Sequence, residues 1–150
     1  MTRGDKAKKL FLDGYNCSQS VVLAFADMLD IEEPMLAKMV SGFGGGIGRR
    51  REVCGSVSGM VFVFSLLYGY DNPKDFEGKK YLYGEIQNLT KEFERINGSI
   101  ICKELLGLNI TGPDSPVPSL RDKQYYGKRP CQELVKCSAD ILENFIMNKE

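Results

Sequence analysis

Five cysteines and no histidine set most of the chemistry open to this chain. Without imidazole there is no Cys–His nucleophile pair and no histidine general base. A metal would have to be held mainly by thiolates, with carboxylates as further ligands. The cysteines are Cys17, Cys54, Cys102, Cys131 and Cys137, and no CxxC occurs, so the spacing of a zinc ribbon is missing. A cysteine site must be assembled by the fold from distant elements. The second chemical feature is GFGGGIGRRREVCG at 42–55: five glycines in seven positions, three arginines and then Cys54. Glycine is costly to order, so such a cluster signals that the backbone itself is needed. The stretch lacks the GK[ST] of a Walker A loop and breaks the spacing of GxGxxG. Its amides suit an anion-binding nest beside a helix start. Gly44, Gly45, Gly46 and Gly55 are therefore candidate cofactor-binding positions, and Arg49, Arg50 and Arg51 add positive potential. The steric alternative is that Gly42, Gly44, Gly55 and Gly59 let helices cross closely.

The elements that must position these residues read as helices nearly throughout. Apolar residues recur at helical spacing over 5–13 (Ala7, Leu10, Phe11), 17–30 (Val21, Val22, Phe25, Leu29) and 33–41 (Met35, Leu36, Met39, Val40). They do so again over 73–97 (Phe76, Tyr83, Ile86, Leu89, Phe93, Ile96) and 130–147 (Leu134, Val135, Ile141, Leu142, Phe145, Ile146). Asn16 caps the second helix and Ser99 a short one over 99–107. Gly98 and Gly107 are stop signals, and Pro130 suits a first turn. Residues 53–70 run for eighteen positions without a charge. Small and polar residues dilute that run, so it predicts a central bundle helix rather than a membrane span. Residues 108–129, with Pro113, Pro116 and Pro118, predict a long loop or flap. The expectation is all-α: a compact bundle of about six to seven helices around the apolar helix at 53–70, in a single domain over 1–150.

On these boundaries four of the five cysteines fall in a first turn. Cys17 follows Asn16, Cys54 opens the helix after the glycines, Cys102 follows Ser99 by three residues, and Cys131 follows Pro130. Free amides and the positive end of the helix dipole favour a thiolate there. The expectation is that these four sulfurs meet in one pocket, each primed for ionisation, as catalytic thiols or metal ligands. Cys137 falls mid-helix and is set aside. Against this stands the ordinary use of buried cysteine as a small apolar filler. Tyr15 and Tyr68 are placed to line such a site, although core filling is the commoner role. Glu52, Asp71 and Glu104 form no spaced acid–base pair.

Twenty basic residues balance twenty acidic ones, which argues against general nucleic-acid binding. The N-terminal stretch is charged and amphipathic without a continuous apolar run, so the expected location is the cytoplasm. GYNCSQSVVLAFAD (14–27), SGFGGGIGRRREVCGSVSG (41–59), SIICKELLG (99–107) and the late Cys131 together resemble the C_GCAxxG_C_C family. Its members are small bacterial or archaeal proteins described as redox-active. The resemblance implies that Cys17, Cys54, Cys102 and Cys131 are the family's four cysteines. Its CGAxxG motif corresponds to Cys54 through Gly59, with Ser56 replacing alanine as a small-for-small change. An oxidoreductase or transporter component is the implied partner, and no particular reaction is implied. Two functions follow. In the first, the four thiols exchange with disulfides, or hold zinc, iron or an iron–sulfur cluster. In the second, the chain is a non-enzymatic module that binds a small ligand or a transporter, and the cysteines only pack. The apolar faces of the short helices suggest a homodimer.

Overall fold

The structure is a computed structural model, and it describes residues 1–149 of the 150. Thr2 starts the first helix with a capping box. Its hydroxyl accepts the Asp5 amide, and the Asp5 carboxylate accepts the Thr2 amide. This cap sets α1 at Arg3–Leu12. Asn16 and Gln19 repeat the device for α2, Cys17–Leu23. A 3₁₀ turn follows at Ala26–Met28, then α3, Glu33–Met39, with Pro34 in its first turn. A second 3₁₀ turn, Ser41–Phe43, leads into α4, Gly44–Ile47. The remaining helices are α5 (Gly55–Tyr68), α6 (Phe76–Asn97), α7 (Cys102–Leu105), α8 (Lys123–Lys128) and α9 (Cys131–Lys149). Asp75 caps α6, and Gly98 ends it at φ +90°. Asp122 caps α8.

About two thirds of the chain is helical, and the described residues contain no strand, as an all-α reading requires. Six helices have seven residues or more: α1, α2, α3, α5, α6 and α9. α1 lies along α9, α2 crosses α5, and α9 also packs on α2, α5 and α6. Phe11, Phe25, Phe64 and Phe93 are fully buried at the centre. No helix among the described residues is long and apolar enough to cross a membrane. The uncharged run supplies a helix of only 14 residues, about 21 Å at 1.5 Å per residue.

Several details depart from the periodicity. The helix expected over 17–30 stops at Leu23 and continues only as the 3₁₀ turn. Met35 and Met39, expected inward, are about half exposed. Phe76, Tyr83 and Ile96 on α6 are also exposed, because that helix leans on the bundle through a narrow stripe of Leu82, Leu89 and Phe93, with Ile86 partly buried beside them. The helix expected to be covered all round is enveloped only in its first half, and Leu66 opens to solvent. The 108–129 segment holds the short helix α8.

Gly55 and Gly59 on α5 do the steric work proposed for the glycines. A Cβ on Gly59 would lie 2.9 Å from the Ser18 carbonyl oxygen, and one on Gly55 would lie 3.2 Å from Cys17 Cβ. Gly42, grouped with them from sequence, has nothing within 4 Å and serves no crossing. Gly59→Ala should therefore destabilise the fold by about 1–3 kcal/mol, since the carbonyl it meets is rigid backbone. Gly84→Ala, on an open face of α6, should instead stabilise by about 0.5–1 kcal/mol. Denaturant midpoints of the two variants check the opposite signs.

Candidate functional site

Each of the four cysteines stands at a helix start. Cys17, Cys102 and Cys131 are the first residues of α2, α7 and α9, and Cys54 is the N-cap of α5. Two of these starts are stitched together by a single antiparallel bridge between Val53 and Ile101. The Cys54 amide donates to the Ile100 carbonyl (2.8 Å), and the Cys102 amide donates to that of Glu52 (2.6 Å). The third start, Cys17, reaches them because Gly55 has no side chain to hold α2 away.

The glycine stretch wraps this junction. α4 is helical in its hydrogen bonding but left-handed in its dihedrals. Gly45, Gly46, Ile47, Gly48 and Arg49 all have φ between +54° and +70°, and Arg51 follows at +62°. Only glycine adopts this region without strain, so the run needs its glycines. Gly46 is doubly constrained, since a Cβ there would lie 2.7 Å from both Cys102 Cβ and the Glu52 nitrogen. Asp114, from the 108–129 segment, clamps the strained arginines. Its carboxylate accepts Arg49 at 3.3 Å and Arg51 at 3.0 Å, and its amide donates to the Arg49 carbonyl at 3.1 Å. The Ser115 amide and Arg51 hold that carboxyl below its usual range.

The result is a cavity of about 470 Å³ lined by Cys17, Cys54, Cys102 and Cys131. Gly44, Gly45, Gly46 and Gly55 also line it, as do Arg49, Arg51, Arg121 and Arg129. Pro116, Pro118 and Ser119 form the wall contributed by the flap. Cys137 is elsewhere, in a groove between α6 and α9, and accepts a hydrogen bond from Asn97 Nδ2 at 3.4 Å. Tyr15 and Tyr68 are absent from the lining, and Tyr125 is present instead. Tyr68 packs on Phe64 at 4.9 Å between ring centroids.

The thiols are not equivalent. Hydrogen bonding with Cys131, burial and the charge on Cys131 push the Cys17 thiol well above the ordinary range. The same bond lowers Cys131 to about 7, helped by Arg129, Arg51 and Arg121 against the cost of burial. Burial raises Cys54, although Ser56 and nearby amides oppose it. Burial raises Cys102 as well, despite Arg51 Nη1 at 3.6 Å from its sulfur. The expectation that all four thiols are primed for ionisation is thus corrected. Helix starts favour a thiolate, but burial and mutual repulsion outweigh that effect at three of them. Among the described residues, no three Cys, Asp or Glu side chains stand close enough together to hold a metal ion.

The profile of the family described as "Putative redox-active protein (C_GCAxxG_C_C)" matches residues 15–145. The chain belongs to the C_GCAxxG_C_C family. A protein of Archaeoglobus fulgidus, described only as uncharacterized, is 26% identical over 94% of this chain and 93% of its own length. No solved structure matches. Where the C_GCAxxG_C_C pattern has an alanine before xxG, this chain has Ser56, and the change is more than small-for-small. Ser56 Oγ lies 3.1 Å from Cys54 Sγ and accepts a hydrogen bond from Ser138 Oγ at 3.0 Å, all within the buried interior. Sequence reasoning missed this chain, and also Asp114, Arg121 and Arg129. None of them has a local motif, because each meets the cysteines only through tertiary contact.

Alkylation of Cys131 by iodoacetamide, followed peptide by peptide in mass spectrometry, should show a midpoint near pH 7. Cys17→Ala removes the hydrogen bond and should move that midpoint up towards about 8.5. Arg129→Gln should move it in the same direction by less. A midpoint indifferent to Cys17 would rule out the hydrogen bond as its cause.

Proposed function

We propose that this chain is a thiol–disulfide oxidoreductase in which Cys131 attacks and Cys17 resolves. The observation that supports this most is that Cys17 and Cys131 line one cavity with Arg51, Arg121 and Arg129, where their ionisation is displaced in opposite directions. The co-reactant is a disulfide, R–S–S–R′. The Cys131 thiolate forms a bond to one sulfur while the S–S bond breaks, and R′–S⁻ leaves and takes a proton from solvent. Cys17 then loses its proton and attacks Cys131 Sγ in the mixed disulfide, and R–S⁻ leaves and is protonated in turn. The dithiol is oxidised by two electrons to a Cys17–Cys131 disulfide, and the co-reactant is reduced to two thiols. Cys54 and Cys102, joined across the Val53–Ile101 bridge, are the second dithiol of the same cavity.

One equivalent of a small disulfide should consume two thiols of the reduced protein, and peptide mapping should find Cys17 linked to Cys131. In Cys17→Ser the reaction should stop at a mixed disulfide on Cys131, and Cys131→Ser should form neither product. Thiol counts unchanged by oxidant in folded protein would overturn the proposal in favour of a binding module with packing cysteines. Visible absorption or stoichiometric metal after anaerobic purification would overturn it in favour of a metal or iron–sulfur centre on the same four thiols.

A further inference from the structure

Over the whole chain the charges balance at twenty of each sign, but in the thiol cavity they do not. Four arginines line it and no carboxylate does. Asp114 lies behind the lining and is engaged by Arg49 and Arg51. Arg121 and Arg129 form no ion pair among the described residues. Both are half-buried. Arg121 donates to the Phe11 and Tyr15 carbonyls at 2.8 and 3.0 Å and lies 4.1 Å from the centroid of the Phe11 ring. Arg129 lies 5.6 Å from that of Tyr125. A thiolate on Cys131 offsets at most one of these charges. Guanidinium groups lining a partly desolvated cavity, two of them with no acid to neutralise them, select for an anionic guest.

The cavity also limits the size of that guest. Cys54, Cys102 and Cys131 are 4%, 7% and 8% exposed. Pro116, Pro118 and Ser119 wall the cavity on the flap side. That wall is fastened by Arg49, which donates to the Ser115 carbonyl, to Ser119 Oγ and to Asp114. A disulfide in a folded protein would have to bring its surrounding backbone to these sulfurs. A volume of about 470 Å³ is instead that of a small-molecule pocket.

We infer that the cavity takes a small anionic sulfur compound, a low-molecular-weight disulfide bearing carboxylates that Arg121 and Arg129 receive while its S–S bond faces Cys131. The word disulfide rests on the thiol-exchange proposal above; the anionic character and the size rest on the lining alone. The covalent step is the one already balanced, with the carboxylate-bearing thiols as the two leaving groups.

The probes are dithiodiglycolate, its unreactive carbon analogue adipate, and the neutral adipamide. Calorimetry on the reduced protein should show adipate binding at least about tenfold more tightly than adipamide, and about tenfold more weakly to Arg129→Gln, in line with the loss of one charge-assisted contact. Circular dichroism confirms that the variant is folded, and the adipate–adipamide comparison needs no variant. In the redox arm, dithiodiglycolate should oxidise the protein at least about tenfold faster than 2-hydroxyethyl disulfide, and faster still than the cationic cystamine. That ratio should shrink in Arg129→Gln, and any change in Cys131 ionisation cancels from it. Adipate and adipamide binding equally, or neither binding, would overturn the anionic guest even if thiols exchange. Equal rates with the charged and neutral disulfides would do the same. Faster oxidation by a protein disulfide than by dithiodiglycolate would overturn the size limit. Adipate binding without any disulfide formation would support the anion site and sink the thiol-exchange proposal alone.

Discussion

Four sulfurs share one poorly hydrated cavity and cannot all carry charge. Two thiolates in contact, about 4 Å apart, repel by roughly 4 kcal/mol even at an effective dielectric of 20, about three pH units of displacement. Burial adds to that cost for each. The stable arrangement is therefore one thiolate supported by its neighbours. It settles on Cys131, which accepts the Cys17 proton donor and is nearest in effect to Arg129, Arg51 and Arg121. Cys17 keeps its proton because Cys131 has lost one. The asymmetry between two chemically identical residues comes from which of them faces the guanidinium groups.

That arrangement depends on a backbone that is locally unfavourable. Ile47, Arg49 and Arg51 hold positive φ, at about 1–2 kcal/mol each for a residue with a Cβ. The strain persists because the turn is held at both ends. Its amides donate back to Gly42, Gly45 and Gly46, and Asp114 grips two of its arginines from the flap. The rest of the bundle offsets the strain, since full burial of a single phenylalanine contributes about 1.5–3 kcal/mol and four are fully buried. The benefit is local: the twisted turn leaves Gly46 against Cys102 and turns Arg51 inward to its sulfur. A right-handed path through the same residues would carry the arginines elsewhere.

Much of this was legible before any coordinates. The Asn16 cap and the Gly98 stop depend on residues close in sequence, and the helix start and the helix end they mark appear where expected. The helix starts at Cys17 and Cys131 are likewise local, marked by Asn16 and Pro130, whereas Ser99, expected as the cap before Cys102, gives way to Ile101 and accepts the Ile101 amide. Convergence of the four in one cavity is an expectation about topology that rests on their shared place at helix starts, and no sequence spacing fixes it. The left-handed sense of the glycine turn was hidden, since glycine enrichment reports that unusual dihedrals are needed without saying which. The Val53–Ile101 bridge was also hidden, because one residue pair leaves no alternating pattern to detect. Zero net charge concealed the four-arginine lining, because a sum over the chain is blind to segregation. The uniform priming expected of the thiols failed for a related reason. A helix dipole acts on each sulfur singly, whereas repulsion acts only once they are gathered.

Ionisation alone contributes little to the rate of such a site. A thiol at about 7 is about half thiolate at neutral pH, against a few per cent for an ordinary cysteine. Its intrinsic nucleophilicity falls with its basicity, with a Brønsted slope of about 0.4–0.5, which leaves a net gain of only roughly threefold. The larger contribution must come from holding a guest's sulfur in line, which is what fixed cationic groups around a small cavity provide. The coupling within the pair instead supplies order. While Cys131 is charged, its hydrogen bond and its repulsion keep Cys17 protonated, so only one sulfur attacks. In a mixed disulfide the Cys131 charge is gone, so its hydrogen bond and its repulsion no longer hold the Cys17 proton and only burial opposes ionisation. On the thiol-exchange proposal, Cys17 then ionises in the cavity that the same arginines line. In the proposed exchange, the interaction that restrains Cys17 in the first step is removed by that step, which orders the two attacks.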